Sequence, residues 1–249
     1  MESKFTLPTE SVDLPSRGLL YPKDSPLSSG KIEMKYMTAK EEDILSNANY
    51  IKAGTALDRV LKSLVVDKGV NFNTLLTGDK NAIMVAARIL SYGKDYEFKL
   101  GEEDHIIDLS QLKEKDINYK LLEDGKNEFK FTLPKTDNKI TFKLLNQIDE
   151  NNIEKEVKGK QKIDKQSNSE GSTRLKYMIT SVNENKESKD IRDFVDNYLL
   201  ASDARALRAE YQKVSPDIDM NYTYDNPEGG EEEVEIPIGV TFFWPDFKL

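Results

Sequence analysis

The sequence contains no cysteine and only one histidine, and these absences narrow its chemistry. Without cysteine the chain has no disulfide, no thiol nucleophile and no thiolate ligand for a metal. A single histidine, His105, excludes catalytic triads and metal centres that need several histidines. Because His105 falls in a predicted sheet or its loop, we expect it to be a surface residue and not a general base.

Long apolar runs are missing as well. No run approaches the ~18 residues that a membrane span requires. The amino-terminal stretch MESKFTLPTE lacks both the charged-then-apolar pattern of a signal peptide and its small-residue cleavage site. We therefore expect no membrane partner and a protein that works in a cytoplasm-like compartment.

Positive charge is the scarcer sign in this chain. There are 45 acidic and 36 basic residues, a net charge of -9, so the overall field repels phosphate backbones. The most basic stretch, KEVKGKQKIDKQ at 155–166, contains no aromatic residue for base stacking and is interrupted by Asp164. We interpret it as a solvated linker, and we expect no nucleic-acid partner.

Motifs of known enzyme classes are also missing. GVNFNTLLTGDK lacks the glycine spacing of a phosphate loop, and GDKNA lacks the Ser or Thr that should follow its lysine. Neighbouring acids such as Glu41 and Glu42 arise by chance among 45 acids. We therefore predict a non-enzymatic protein with no catalytic residue, no cofactor and no metal.

What is present predicts an α+β fold that combines helical units with a small antiparallel β-sheet. Residues 1–37 carry four prolines around short apolar runs, which predicts an extended amino-terminal arm of strands and turns. Residues 38–93 predict a helical unit that begins with a capping box at Thr38 and Glu41. Its second helix has an apolar stripe, and its third is predicted to begin at Asp79 as N-cap and to stop at Gly93.

The rest of the chain, from residue 94, is predicted to contain strands, a linker, helices and a final hairpin. Alternating stretches from 94 to 145 predict an antiparallel meander, and the polar segment 146–172 predicts a mobile helix-plus-linker. Residues 173–216 predict a second helical unit, including helix over STRLKYMITSVN. Residues 217–249 predict a carboxy-terminal β-hairpin with an aromatic end.

The first candidate partner-binding segment lies in the arm. Arg17, Leu19, Leu20 and Tyr21 in LPSRGLLYP could dock on a neighbouring protein. Packing against the chain's own sheet is at least as strong an interpretation for so apolar a run.

A second candidate lies on the predicted helix DARALRAEY. Arg205 and Arg208 are three residues apart on one face, a spacing suited to carboxylates of a partner. The same spacing suits Asp203 and Glu210 within the chain, which is the safer structural interpretation.

The third candidate is the aromatic end, IPIGVTFFWPDFKL. Pro245 prevents regular continuation, so Phe242, Phe243, Trp244 and Phe247 form a short aromatic plug. Closing the chain's own core is the favoured interpretation, since most large aromatic residues are internal, and docking onto a partner is the alternative.

Several stretches taken together resemble one family. They are LPSRGLLYP with SSGKIEMKYMTAKEEDIL, the segment from GTALDRVLKSLVVD to ARILSYGKDY, LLASDARALRAEYQKVSPDIDM, and EIPIGVTFFWPDFKL. In this order they are similar to the baseplate-hub assembly proteins of contractile-tailed phages of the T-even type. The resemblance implies a role in building the baseplate hub, as assembly factor, chaperone or minor structural subunit, without catalytic residues.

The resemblance also implies partners and a location. The partners would be hub and tail-tube proteins that must be trimerised or held soluble before the baseplate closes, and an oligomer of this chain is left open. The protein would act in the host cytoplasm during assembly and could remain in the tail baseplate of the virion.

One departure from the family pattern concerns zinc. Similar proteins carry two Cys-x-x-Cys pairs suited to a four-thiolate site, whereas the matching places here read LGEEDHI and NPEGG. We predict no zinc, and we expect strand pairing and apolar contacts alone to hold these two segments together.

A different class of function is a helix-turn-helix regulator that binds nucleic acid. The candidate recognition helix, Asp79 to Leu90, offers only Lys80 and Arg88 as bases. Two bases are too few to neutralise several phosphates, so this alternative ranks below the phage protein.

Overall fold

The chain combines groups of helices with small antiparallel sheets of two or three strands, which confirms the predicted α+β class. A computed structural model describes residues 7–101, 103–165, 168–226, 229–236, 238 and 240–243. The helices are α1 (Ala39–Leu45), α2 (Ala48–Lys52), α3 (Ala56–Leu64), α4 (Thr77–Tyr92), α5 (Gln147–Ile163), α6 (Glu170–Met178), α7 (Ser188–Asn197), α8 (Ala201–Val214) and α9 (Val240–Phe243). The strands are β1 (Thr9–Asp13), β2 (Lys31–Lys35), β3 (Asp95–Leu100), β4 (Glu103–Asp108), β5 (Phe129–Thr132), β6 (Lys139–Phe142), β7 (Ile179–Val182), β8 (Asn221–Asn226) and β9 (Gly230–Glu235).

The amino-terminal segment forms strands and turns, as its prolines predict. β1 pairs antiparallel with β2, with Val12 opposite Ile32. The connection between the strands folds back so tightly that a Cβ on Gly18 would lie 2.3 Å from the carbonyl oxygen of Ser28. Gly18 also has a φ of 77°, a backbone conformation that glycine adopts without strain. A side chain at this position would therefore open the loop.

Helices α1, α3 and α4 occupy the range where the sequence predicts a helical unit. At the start of α1 the carboxylate of Glu41 accepts hydrogen bonds from the amide (2.9 Å) and hydroxyl (2.5 Å) of Thr38, which confirms this pairing. Gly93 ends α4 as predicted, with a φ of 84°. The prediction of Asp79 as N-cap is wrong, because α4 begins two residues earlier and the carboxylate of Asp79 is held by residues far away in sequence.

The strands between residues 94 and 145 form, but they do not build one meander. β3 pairs with β4 in one sheet, and β5 pairs with β6 in another. The second edge of β6 is taken by β7, from a stretch where the sequence predicts helix. α6 ends at Met178, after which buried residues alternate with half-buried ones, the period of a strand. The helix prediction for STRLKYMITSVN is therefore right up to Met178 and wrong beyond it.

Helix α5 covers most of the segment interpreted as a mobile helix-plus-linker. Asn146 accepts a hydrogen bond from the amide of Asp149, and Asp149 accepts one from the amide of Asn146, a capping box. Its acidic side chains are paired across to neighbouring helices: Glu150 contacts Arg174 at 2.9 Å and Glu156 contacts Arg192 at 2.5 Å. The solvated-linker interpretation of 155–166 is thus wrong for 155–163, because these residues are helical and are attached to the fold by ion pairs and by Val157, which packs against the core.

One apolar core joins both halves of the chain. Residues from the first loop, α3, α4, β6, α6, α8 and α9 share it. Its largest members without exposed surface include Phe142, Phe242 and Phe243, and α9 packs on α4. The carboxy-terminal β8–β9 hairpin forms as predicted, with Tyr222 opposite Val234. The proposed domain boundaries remain predictions.

Candidate partner-binding surfaces

The only histidine lies among aromatic rings, so its prediction as a surface residue is wrong. The ring of His105 lies 5.9 Å from that of Phe98, 5.7 Å from Tyr222 and 5.0 Å from Tyr224. These rings join the β3–β4 hairpin to the β8–β9 hairpin, and no strand pairing links the two hairpins within the described residues. Aromatic packing thus joins the two hairpins that carry LGEEDHI and NPEGG, without the strand pairing expected between those segments.

No metal centre is formed by the part of the chain that the structure describes. No group of three or more His, Asp or Glu residues comes together there with metal-binding geometry. The Nε2 atom of His105 lies 3.8 Å from a carboxylate oxygen of Glu103 and has no hydrogen-bond partner among the described residues. Within the described residues, the surroundings of His105 thus offer a metal only two ligands, one ring nitrogen and one carboxylate.

A buried carboxylate fixes the first candidate segment. Asp79 accepts hydrogen bonds from the amide of Ser16 at 2.9 Å, the hydroxyl of Ser16 at 2.7 Å and the hydroxyl of Tyr21 at 2.6 Å. The hydroxyl of Tyr21 in turn accepts a bond from the amide of Leu76 at 3.0 Å. Burial raises the pKa values of both Asp79 and Tyr21, while the hydrogen bonds to Asp79 oppose the rise in its own value. This network attaches the loop to the start of α4.

The apolar residues of that segment lie inside the protein. Leu20 and Tyr21 are each 3% exposed, and Leu19 is half-buried against the same core. In this conformation Leu20 and Tyr21 offer almost no surface to a partner. The structure therefore uses them in the way that the alternative interpretation describes, as packing within the chain.

Arg17 is the exposed member of the segment, and it already has partners. Its guanidinium lies 3.6 Å from the centroid of the Tyr119 ring and 3.8 Å from a carboxylate oxygen of Glu114. Its φ of 53° is a left-handed conformation that costs a non-glycine residue about 1 kcal/mol. The loop fixed by Asp79 holds this conformation, so Arg17 is a rigid and largely satisfied surface group.

The aromatic end divides between the core and residues outside the described ranges. Phe242 and Phe243 are both 0% exposed, and the Phe242 ring contacts Tyr96 edge-on at 4.9 Å. They lie in α9, a single helical turn. Trp244 and Phe247 fall outside the described residues. The two described phenylalanines thus pack in the core, as the favoured interpretation has it.

Arg205 and Arg208 differ from all the other arginines. Both are exposed on α8, and neither forms a hydrogen bond, ion pair or ring contact with any residue that the structure describes. The carboxylates suggested as their partners are used elsewhere. Asp203 is buried and accepts bonds from the amide of Lys135 at 2.9 Å and the hydroxyl of Thr136 at 2.7 Å, and Glu210 pairs with Lys213 at 2.9 Å. The intrachain interpretation of the two arginines is therefore wrong.

Sequence reasoning missed a groove beside these arginines. A cavity of about 290 Å³ lies between α6 and α8. Leu145, Leu175, Met178 and Tyr211 give it apolar walls, and Arg208 is one of its polar lining residues. In the sequence, Leu175 and Met178 are three residues apart and so share one face of a short helix, but the groove itself forms only where α6 meets α8.

Helix α4 is unsuited to reading nucleic acid. Lys80 is paired with Asp58 at 2.6 Å. Arg88 is buried, and its guanidinium donates to the carbonyls of Gly93 at 2.8 Å and Asp95 at 3.0 Å. Burial lowers the pKa of Arg88. Since both bases of the candidate recognition helix are used within the chain, the structure gives the helix-turn-helix alternative no support.

The comparison with known families gives the class of this α+β chain, which is a bacteriophage baseplate protein. The model of the family described as T4 bacteriophage base plate protein matches residues 20–244, and the chain belongs to this family. Neither the comparison with curated proteins nor the comparison with solved structures found a match. Membership in the family indicates a component of the phage tail. Among the described residues no helix is long and apolar enough to cross a bilayer.

Proposed function

We propose that this protein acts without catalysis in the assembly of the baseplate hub, as an assembly factor or a minor structural subunit. The observation that carries the proposal is the family match over residues 20–244. The proposal of the hub, as distinct from the rest of the baseplate, is supported by the resemblance of four stretches that occur in the same order. The non-enzymatic part is supported by the family and by the structural use of Asp79 and Glu41, two buried acids that contact donors of the chain itself.

The proposed partners are hub and tail-tube proteins of the same phage. An assembly protein needs exposed side chains that can bind a partner, and Arg205 and Arg208 on α8 are exposed and contact no partner among the described residues. The proposed place of action is the host cytoplasm during tail assembly. A chaperone would leave before the tail is complete, whereas a subunit would stay in the virion.

A phage that lacks this protein tests the hub role. We expect infected cells to accumulate tails or tail precursors without hubs, and a plasmid copy of the wild-type chain to restore complete baseplates. Electron microscopy of the particles, with the hub proteins counted by mass spectrometry, gives the result. Complete hubs in the deletion phage would contradict the proposal.

Purified virions separate the two forms of the proposal. Mass spectrometry would count this protein against a known hub component. A fixed stoichiometric ratio would identify a subunit, and loss of the protein from mature virions would identify an assembly factor.

A further inference from the structure

The groove between α6 and α8 has the geometry of a binding site for a short segment of another protein. Its apolar surface comes from Leu175, Met178 and Tyr211, and Gly171 forms part of its wall. Gly171 is exposed, and a Cβ built on it meets no atom within 4 Å, so a larger side chain there clashes with no other residue. An apolar side chain of a partner could enter there and remove both surfaces from water.

The charge along the groove defines the partner further. Arg208 lines the groove, and Arg205 lies one turn closer to the start of α8. Every other arginine has a partner that the structure shows. They are Arg17, Arg59, Arg88, Arg174 and Arg192. The two arginines without a partner in the described part of the chain thus lie three residues apart on α8, and Arg208 lines the apolar groove.

No acid among the residues that the structure describes pairs with the two arginines, although the chain has a net charge of -9. Asp203 and Glu210 are the acids closest in sequence, and both are held by other residues. A guanidinium binds a carboxylate through paired hydrogen bonds, and such charged bonds are stronger than neutral ones. Carboxylates of a partner could therefore pair with the guanidinium groups of Arg205 and Arg208.

Exposed apolar surface also lies just before the start of α8. Tyr198 is 64% exposed and Leu200 is 45% exposed, and both lie in the short connection between α7 and α8. Exposed tyrosine and arginine side chains are enriched among residues that dominate binding energy. Nucleic acid fits this surface less well, because two arginines in an acidic chain neutralise few phosphates and a phosphate backbone has no apolar side chain for the groove.

We infer that the α6–α8 groove binds an acidic amphipathic segment of another baseplate protein, whose carboxylates pair with Arg205 and Arg208 and whose apolar side chains enter beside Gly171. The inference rests on the proposed function for the source of that segment. It adds the binding site and the chemistry of the partner.

Binding measurements with purified baseplate proteins of the phage, each added singly to the full-length chain, test this inference. Two variants address the two halves of the site: Arg205→Glu with Arg208→Glu reverses the charge, and Gly171→Trp places a bulky side chain at the wall of the groove. Each should weaken binding at least about tenfold, the effect of losing roughly 1.4 kcal/mol. Restoring affinity to the charge-reversal variant with an acid-to-lysine reversal in the partner would identify the paired carboxylates.

Matched controls separate local effects from general ones. Lys186→Glu with Lys189→Glu changes the net charge by the same amount, at two exposed lysines in and just before α7. Gly159→Trp places the same side chain on α5, at another glycine whose Cβ would meet no atom within 4 Å. Both controls should bind within about twofold of the wild type, well below the tenfold that marks 1.4 kcal/mol. If Gly171→Trp fails to fold, the charge-reversal pair decides.

The possible outcomes distinguish failure of the groove inference from failure of the proposed function. If the wild-type chain binds a baseplate protein and both groove variants bind equally well, the groove inference is overturned and the proposed function stands. If the wild type binds none of the baseplate proteins, both fall. Self-association of the chain that is lost in Gly171→Trp, or DNA binding that is lost with the two arginines, would also overturn the inference in favour of those occupants.

Discussion

Arg17 and Arg208 are both exposed arginines in candidate binding segments, yet their surroundings are opposite. Arg17 lies on a loop fixed by the buried carboxylate of Asp79, and its guanidinium is stacked on Tyr119. Arg208 lies on a regular helix beside an apolar groove and meets no partner in the described part of the chain. The same side chain therefore completes the fold in one place and leaves a binding group in the other.

This difference indicates how the candidate residues divide. Among the apolar candidates that the structure describes, Leu20, Tyr21, Phe242 and Phe243 are buried in the core, and Leu19 is half-buried against it. Of the described candidates, those that stay available are Arg205 and Arg208, two charged residues exposed on α8. The comparison predicts large stability losses from changes in the first group, and binding losses without stability losses from changes in the second.

Phe242→Ala should have the largest effect on stability. The side chain is 0% exposed, and truncating a buried phenylalanine costs about 3 to 5 kcal/mol. Chemical denaturation measures the loss, with Phe242→Leu as a milder control that keeps most of the volume. A variant that unfolds like the wild type but no longer binds hub proteins would show that the aromatic end docks on a partner.

Asp79→Ala should follow, with a loss of about 3 kcal/mol. The change leaves the buried amide and hydroxyl of Ser16 and the hydroxyl of Tyr21 without their acceptor. Asp79→Asn keeps one carbonyl acceptor and should lose less. Limited proteolysis should then cut the loop after β1 faster in the alanine variant. Equal stability of all three proteins would contradict the role given to this network.

Glu41→Gln should cost about 2 kcal/mol at neutral pH and much less in acid. Burial disfavours the ionised form, but hydrogen bonds from Ser63, Thr38 and Lys35 outweigh it and lower the pKa of Glu41 to about 2 from 4.5. A carboxylate with a lowered pKa in the folded state stabilises the fold above pH 4.5, and this contribution is lost as the pH falls toward 2. Unfolding free energies measured across this range should converge for variant and wild type.

The exposed Asp43→Asn, on the same helix as Glu41, provides the control for that series. It should follow the wild type at every pH, since no partner of its carboxylate is seen among the described residues. A constant difference between Glu41→Gln and the wild type from pH 7 to pH 2 would contradict the assigned cause.

Changes at the exposed arginines should have the smallest effects on stability. Arg17→Ala loses the ring contact and keeps the left-handed φ, so it should cost about 1 kcal/mol. Arg17→Gly relieves that conformation and should be closer to the wild type. Arg208→Ala should change stability by less than about 0.5 kcal/mol. A larger loss for Arg208→Ala than for Arg17→Ala in thermal unfolding would reverse the comparison.

The sequence predicted the elements better than their assembly. Capping residues such as Thr38 and Gly93, and alternation in β3 to β6, depend on local chemistry and were readable from short stretches. The pairing of β6 with β7 depends on a strand about 40 residues away in sequence. The attachment of α5 to the rest of the fold likewise depends on residues distant in sequence, as in the ion pair of Glu156 with Arg192. Neither contact can be predicted from the hydrophobic periodicity of the segment concerned.

The candidate site shows the same limit. Arg205 and Arg208 could be chosen from their spacing alone, but whether Asp203 was free to pair with them could not. Asp203 accepts a hydrogen bond from Thr136, a residue of a turn far away in sequence, so it does not pair with either arginine. The groove beside them requires two helices to meet, so only the folded chain reveals it.

The yield of phage that carries Arg205→Glu and Arg208→Glu tests the central claim most directly. We predict that the variant protein accumulates in infected cells like the wild type and, when purified, has an unchanged unfolding free energy. The numbers of complete baseplates and infectious particles should fall at least about tenfold, the change in affinity that a loss of roughly 1.4 kcal/mol of binding produces. Phage with Lys186→Glu and Lys189→Glu should grow normally. A normal yield from the arginine variant would contradict the claim that the fold leaves these two residues for a partner in the baseplate.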